Sequence, residues 1–162
     1  MSKKTRICFV CLGNIVRSPF AENMFRYLAE QKNVAHKYDV DSAGTSSWHV
    51  GERPDPRMRK VAAKFGFKYD GTARQIVPDD LDYFDLLIAM DDNNKDTLLG
   101  LAQNSDHKEK IHLLREYDPD GDPNSPVPDP YYGGIDGFEN VYKIVKRSCQ
   151  TLLETLEGEG KK

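Results

Sequence analysis

Ile7-Cys8-Phe9-Val10-Cys11-Leu12-Gly13-Asn14-Ile15-Val16-Arg17-Ser18-Pro19-Phe20 decides the fold. Ile7 to Val10 is a short apolar run rich in β-formers and reads as a buried strand. Pro19 is followed by Phe20, Met24, Phe25 and Leu28 at helical spacing. Proline suits the first turn of a helix, where its missing N–H costs nothing. Cys11 to Ser18 is therefore expected to be a loop from a strand end to a helix start. In such a loop backbone N–H groups curl inward, and the helix N-terminus adds partial positive charge. That makes an anion site before any side chain is counted. Gly13 supplies unrestricted φ, and Asn14 tolerates the left-handed region. Cys11 opens the loop, in a field that favours the thiolate. Arg17 closes it with a planar fork that matches two phosphate oxygens. A dianion cradle with a nucleophile at its floor points to phosphoryl transfer through a covalent thiophosphate.

The rest of the composition bounds the class. The 162 residues suit one domain spanning 1–162. A net charge of −3 gives no nucleic-acid footprint, so nucleic acid is not an expected partner. No apolar run approaches the ~18 residues of a membrane span, so no membrane partner is expected either. Three cysteines, an odd number, fit a reducing cytoplasm better than a disulfide framework. Cys8 and Cys11 share a C-x-x-C spacing, but on a strand their side chains face opposite ways. Cys8 and Cys149 read as core residues. The four histidines, His36, His49, His107 and His112, lack metal-ligand spacing, and surface or loop roles are expected for them.

Along the chain, Tyr38 to Ser42 reads as a second strand. Pro56 to Phe65 reads as a helix stopped at Gly66, and Asp79 to Asp82 as a helical turn. Phe84 to Met90 reads as a buried strand, with Asp91-Asp92 capping a helix to about Leu101. Lys110 to Leu114 reads as a fourth strand, Tyr117 to Gly134 as a long loop with five prolines, and Phe138 to Leu156 as an amphipathic helix. Strands alternating with helices predict a single doubly wound α/β domain, a parallel sheet with helices on both faces. Ligands then bind beyond the carboxyl ends of the strands, where the phosphate-binding loop after the first strand, Ser42, Asp91 and the loop after Leu114 can converge.

Cys11, five residues, then Arg17-Ser18, within V-C-L-G-N-I-V-R-S-P, resembles the low-molecular-weight protein tyrosine phosphatase family. The resemblance spans nearly the whole chain. It implies a four-stranded parallel sheet, a phosphocysteine mechanism without metal or other cofactor, and phosphotyrosine-containing proteins as partners. Phosphate and other oxyanions would then act as inhibitors. By the same resemblance, the loop residues Leu12 to Val16 bind phosphate, and Cys11 and Arg17 are catalytic. Ser18 can donate its hydroxyl to the sulfur, and it can also cap the helix. Asn14 and Ser42 look like the pair that holds the loop in shape. Asp91 resembles the carboxylate that orients the arginine, and equally reads as a plain helix cap. Val127-Pro128-Asp129-Pro130-Tyr131-Tyr132 looks like the family's D-P-Y-Y acid loop. A leaving oxygen needs a proton, and Asp129 is its expected donor. Tyr131, Tyr132 and, opposite, Trp48 are the expected walls for an aromatic ring.

Asp118, Asp120, Asp122 and Asp129 also fall at calcium-loop positions, but Pro123 stands where that loop needs glycine. Two departures from the family pattern stand out: Val16 replaces a second cysteine, and Gly71 replaces a histidine. The sequence thus points to a protein-tyrosine phosphatase, which would also score as an acid phosphatase. Arsenate reductases share the scaffold but need relay cysteines, and none lies between Cys11 and Cys149. Protein-arginine phosphatases carry Thr where Ile15 stands. An idle phosphotyrosine-binding module would not need Cys11, Arg17, Ser18 and Asp129 intact.

Overall fold

The computed structural model describes residues 4–12, 17–46, 50–53, 55–66, 71–122, 126–128 and 135–158. In order, the elements are β1 (Thr5–Cys11), α1 (Arg17–Gln31), β2 (Tyr38–Gly44), α2 (Pro56–Lys64), α3 (Asp80–Tyr83), β3 (Leu86–Ala89), α4 (Asp92–Leu101), α5 (Ser105–Glu109), β4 (Ile111–Leu113) and α6 (Ile135–Leu156). The sheet order is β2-β1-β3-β4. Every pairing is parallel, with Ile7 opposite both Val40 and Leu86, and Leu87 opposite Ile111. The chain leaves β1 for one edge and returns past it to β3. That reversal is the switch point where doubly wound sheets open a crevice.

Strand alternation sorts the core into two layers. Ile7, Phe9 and Cys11 face the side covered by α1, α2 and α6, packing with Phe20, Met24, Phe25, Met58, Val141 and Val145. Cys8 and Val10 face the other side, with Leu81, Phe84, Leu87 and Leu98. Both layers are closed: Phe9, Phe25, Leu87 and Leu98 are fully buried. Each such side chain contributes roughly 1.5–3 kcal/mol of apolar burial. β1 is buried on both faces, which is why Ile7 to Val10 reads as an unbroken apolar run rather than an alternating one.

The elements differ from the sequence expectation at their ends. α1 starts at Arg17, two residues before Pro19, so Arg17 and Ser18 belong to the helix and not to the loop. Proline is tolerated anywhere in the first turn, so it marks the start of a helix only to within that turn. β2 runs on to Gly44, because Gly44 pairs with Cys11 and bridges Gln75 in the otherwise polar 71–78 segment. A further helix, α5, is capped by Asn104, whose side chain accepts from the His107 N–H. His107 itself is buried, against the surface role expected of it. Its Nδ1 accepts from the Gln103 N–H at 3.1 Å and its Nε2 lies 2.6 Å from Asp82 Oδ1. A histidine with both ring nitrogens matched is a structural bolt, here joining α5 to α3. The Asp118 carboxylate, the first of the calcium-loop positions, is already spent on arginines. Arg147 Nε donates to Oδ1 at 2.7 Å, and Arg115 Nε lies 2.8 Å from Oδ2.

Candidate active site

Cys11 is the last residue of β1, and α1 begins six residues later with its N-terminus turned back on the sulfur. Ser18 Oγ lies 2.9 Å from Cys11 Sγ, and the Ser18 N–H donates to the same sulfur at 3.4 Å. The Ser18 hydroxyl is also 3.4 Å from the Ala43 carbonyl. Cys11 is 3% exposed, so it is buried rather than on the surface. The β1–β2 ladder continues past the strand ends. The Thr45 N–H donates to the Cys11 carbonyl at 2.8 Å and the Ser46 N–H to the Leu12 carbonyl at 3.0 Å. Pairing with the end of β2 thus extends to Leu12, which is exposed.

Arg17 is nearly buried, and its Nη1 donates to Asp91 Oδ2 at 2.9 Å and to the Val127 carbonyl at 3.0 Å. Asp91 carries both roles that its position at the β3–α4 junction suggests. One oxygen pairs with Arg17, and the other accepts the Asn94 N–H at 2.8 Å as the cap of α4. Val127 is fully buried and strand-like in its bonding: its N–H donates to the Met90 carbonyl at 2.7 Å. Met90 in turn donates to the Val10 carbonyl at 3.1 Å. Three segments from distant parts of the chain therefore meet around one guanidinium at the carboxyl ends of β1 and β3.

Ser42 lies on β2, and its hydroxyl donates to Glu22 Oε1 at 2.6 Å. Arg26 Nη2 donates to the other oxygen of Glu22 at 2.7 Å and to the Val40 carbonyl at 2.9 Å. Burial raises the Glu22 carboxyl above its ordinary range, against the bonds from Ser42 and Arg26. Cys8 and Cys149, the other two thiols, are fully buried and burial pushes both well up, which leaves them inert as nucleophiles. A cavity of about 580 Å³ runs along α1, lined by Glu22, Arg26, Glu30, Arg53 and Thr72 among others, and its lining includes neither Cys11 nor Arg17.

Of the sites expected from sequence, Cys11, Leu12, Arg17, Ser18, Ser42 and Asp91 are placed, and four of them are bonded in two pairs, Cys11 with Ser18 and Arg17 with Asp91. Gly13, Asn14, Ile15, Val16, Trp48, Asp129, Tyr131 and Tyr132 lie outside the described residues. Sequence reasoning missed Val127 as an Arg17 partner, because a main-chain carbonyl carries no residue signal. It also missed Glu22, although Ser18, Glu22 and Arg26 recur at i, i+4 and share one helix face.

The double duty of Asp91 separates under mutation. Asp91→Asn keeps a good cap but loses the charge facing Arg17, so stability should stay within ~1 kcal/mol while turnover falls by about tenfold. Asp91→Ala should lose both, at about 2–3 kcal/mol. Urea unfolding beside steady-state kinetics checks this. Equal destabilisation by the two variants would mean that the cap contributes nothing.

Residues 6–162 match the model of a family described as low molecular weight phosphotyrosine protein phosphatase. The chain belongs to that family. It is 44% identical to a low molecular weight protein-tyrosine-phosphatase of Streptomyces coelicolor, over 94% of this chain and 96% of the relative. Its identity to the low molecular weight phosphotyrosine protein phosphatase of Homo sapiens is 40%, over 91% and 93% of the two chains. The crystal structure of a protein tyrosine phosphatase from Entamoeba histolytica superposes with a TM-score of 0.91 at 39% identity, over 96% of this chain and 98% of that one. The low molecular weight phosphatase fold resembled by the V-C-L-G-N-I-V-R-S-P string is therefore the fold observed, and a cysteine-based mechanism is general to the family.

Proposed function

We propose that this phosphatase hydrolyses phosphotyrosine in proteins, with Cys11, Arg17 and Asp129 as its catalytic residues. The observation that carries the reading is the sulfur of Cys11 at the N-terminus of α1, 2.9 Å from the Ser18 hydroxyl, beside an Arg17 pinned by Asp91. The Ser18 hydroxyl and N–H stabilise negative charge on the sulfur. The sulfur attacks phosphorus in line, forming an S–P bond as the P–O bond to tyrosine breaks. Arg17 and the loop N–H groups of residues 12 to 16 hold the three equatorial oxygens. Asp129 gives its proton to the leaving phenolate, and as a carboxylate it then takes a proton from the attacking water. Water oxygen bonds to phosphorus, the S–P bond breaks, and inorganic phosphate leaves with the thiolate restored. No step calls on a metal. Asn14 and Ser42 support the loop, and Trp48, Tyr131 and Tyr132 wall the ring. Inorganic phosphate and other oxyanions compete for the cradle; the Entamoeba histolytica relative is described with Hepes, a sulfonate, in its active site. Three cysteines with no disulfide between them suit a cytoplasmic, reducing setting.

Turnover of para-nitrophenyl phosphate tests for the enzyme against an idle binding module. Release of phosphate from a phosphotyrosine peptide, but not from a phosphoarginine peptide, tests the substrate class; the reverse preference would overturn it.

A further inference from the structure

Arg115 lies on the 3₁₀ turn Leu114–Tyr117 that follows β4. Its side chain is nearly buried, and its Nη1 donates to the Pro126 carbonyl at 2.8 Å. Its Nε lies 2.8 Å from Asp118 Oδ2. The Asp118 side chain is wholly buried and is held from the far side by Arg147 of α6, through Nε at 2.7 Å and Nη2 at 3.1 Å. Burial alone would raise that carboxyl, but the Arg147 bonds outweigh it and keep Asp118 below the usual carboxylate range. Asp118 is therefore a fixed anion at neutral pH, and Arg115 is fixed against it. Gly121 closes over the pair: a Cβ there would collide with Arg115 Nη2.

The target of this assembly is one peptide unit. Pro126 has no N–H, so its carbonyl is its one main-chain bonding group. The next residue, Val127, is clamped by the Met90 carbonyl and by Arg17. Residues 126 and 127 are thus gripped from two sides, by Arg17 inside the site and by Arg115 outside it. Asp129 follows two residues later, across Pro128, whose fixed φ narrows the paths the backbone can take.

We propose that Arg115 is a positioning residue: through the Pro126 carbonyl it sets the start of the segment that delivers the general acid. The proposal rests on the reading of Asp129 as that acid. Arg115 touches neither phosphate nor nucleophile, so its loss should act on the proton transfer and spare the cradle.

The test compares wild type, Arg115→Met, Arg115→Lys and Asp129→Ala across aryl phosphates of graded leaving-group acidity. Thermal melting of each variant and inhibition by inorganic phosphate are measured alongside. Wild type must first hydrolyse phosphotyrosine, and Asp129→Ala must steepen the leaving-group dependence. If either fails, the functional reading falls before this one is reached. With both in hand, Arg115→Met should lower kcat on phosphotyrosine about tenfold, a part of the 10²–10⁴ that a general acid supplies. It should change turnover of the most acidic leaving group by less than about twofold, because that group departs unaided. Phosphate inhibition should stay within about twofold of wild type, since the cradle is intact. Arg115→Lys, a single-point donor able to reach one carbonyl, should recover part of the loss. Should Arg115→Met fail to fold, Arg115→Lys decides alone, by a smaller shift of the same kind. An unchanged leaving-group dependence, or an equal loss on every substrate, would overturn the proposal. A purely structural Arg115 would lower the melting temperature without moving that dependence.

Discussion

Cys11→Ser should abolish turnover, by at least about 10⁴-fold, while the protein should still bind inorganic phosphate. The serine hydroxyl is isosteric but stays protonated at neutral pH, so no S–P bond and no substitute for it forms at a useful rate. Everything that holds the anion survives. Arg17 remains paired to Asp91 and to the Val127 carbonyl, and α1 still presents its N-terminus. The core should change little, because Cys11, one member of a large buried cluster that includes Phe9 and Phe20, is replaced by a slightly smaller side chain. Phosphate binding by the variant, measured by calorimetry, together with the absence of a phosphoenzyme in acid-quenched mass spectra, checks both halves. Residual turnover within about tenfold of wild type would exclude the covalent route.

Asp129→Ala should have the second largest effect. Phosphotyrosine leaves as a phenolate, and without a proton donor its departure slows by about 10²–10³-fold. Aryl phosphates with strongly acidic leaving groups need no such help and should lose far less. Hydrolysis of the phosphocysteine also loses its base, so a phosphoenzyme should accumulate with those easy substrates and appear as a burst of released phenol. Uniform losses across leaving groups, with no burst, would place the acid elsewhere on the chain.

How much of this was readable from sequence depends on the kind of bond involved. β1 and α1 were legible because each announces itself locally: an apolar run, then proline and a 3.6-residue stripe. Asp91 was legible as a cap for the same reason, since a carboxylate between a strand and a helix has few other uses. Its second bond, to Arg17, spans 74 positions, and the residues alone left it level with the cap reading. Ser42 was legible from the family resemblance, but its partner Glu22 was not. The contribution of Val127 is a carbonyl, invisible to any reading of side chains. His107 was misplaced because Asn104 was not recognised as a cap; without α5 there was no reason to expect that ring inside. From sequence Asp118 reads as a calcium-loop position, because the arginines that neutralise it come from a 3₁₀ turn and from α6.

The position of β1 in the sheet also sets how the molecule breathes. β1 has a hydrogen-bonded neighbour on each side, whereas β4, three residues long, is an edge strand. Amides of Phe9 and Val10 can meet solvent only if the sheet parts, while those of Ile111 to Leu113 need only a rim to lift. In native-state hydrogen exchange the strand that carries Cys11 should therefore sit among the slowest sets, exchanging through global unfolding. β4 and α5 should exchange earlier, at lower free energy. The same rate for both would show that the sheet opens as one unit. Otherwise the thiol stays in place through excursions that loosen the far edge, and the chemistry is insulated from the commonest fluctuations of the fold.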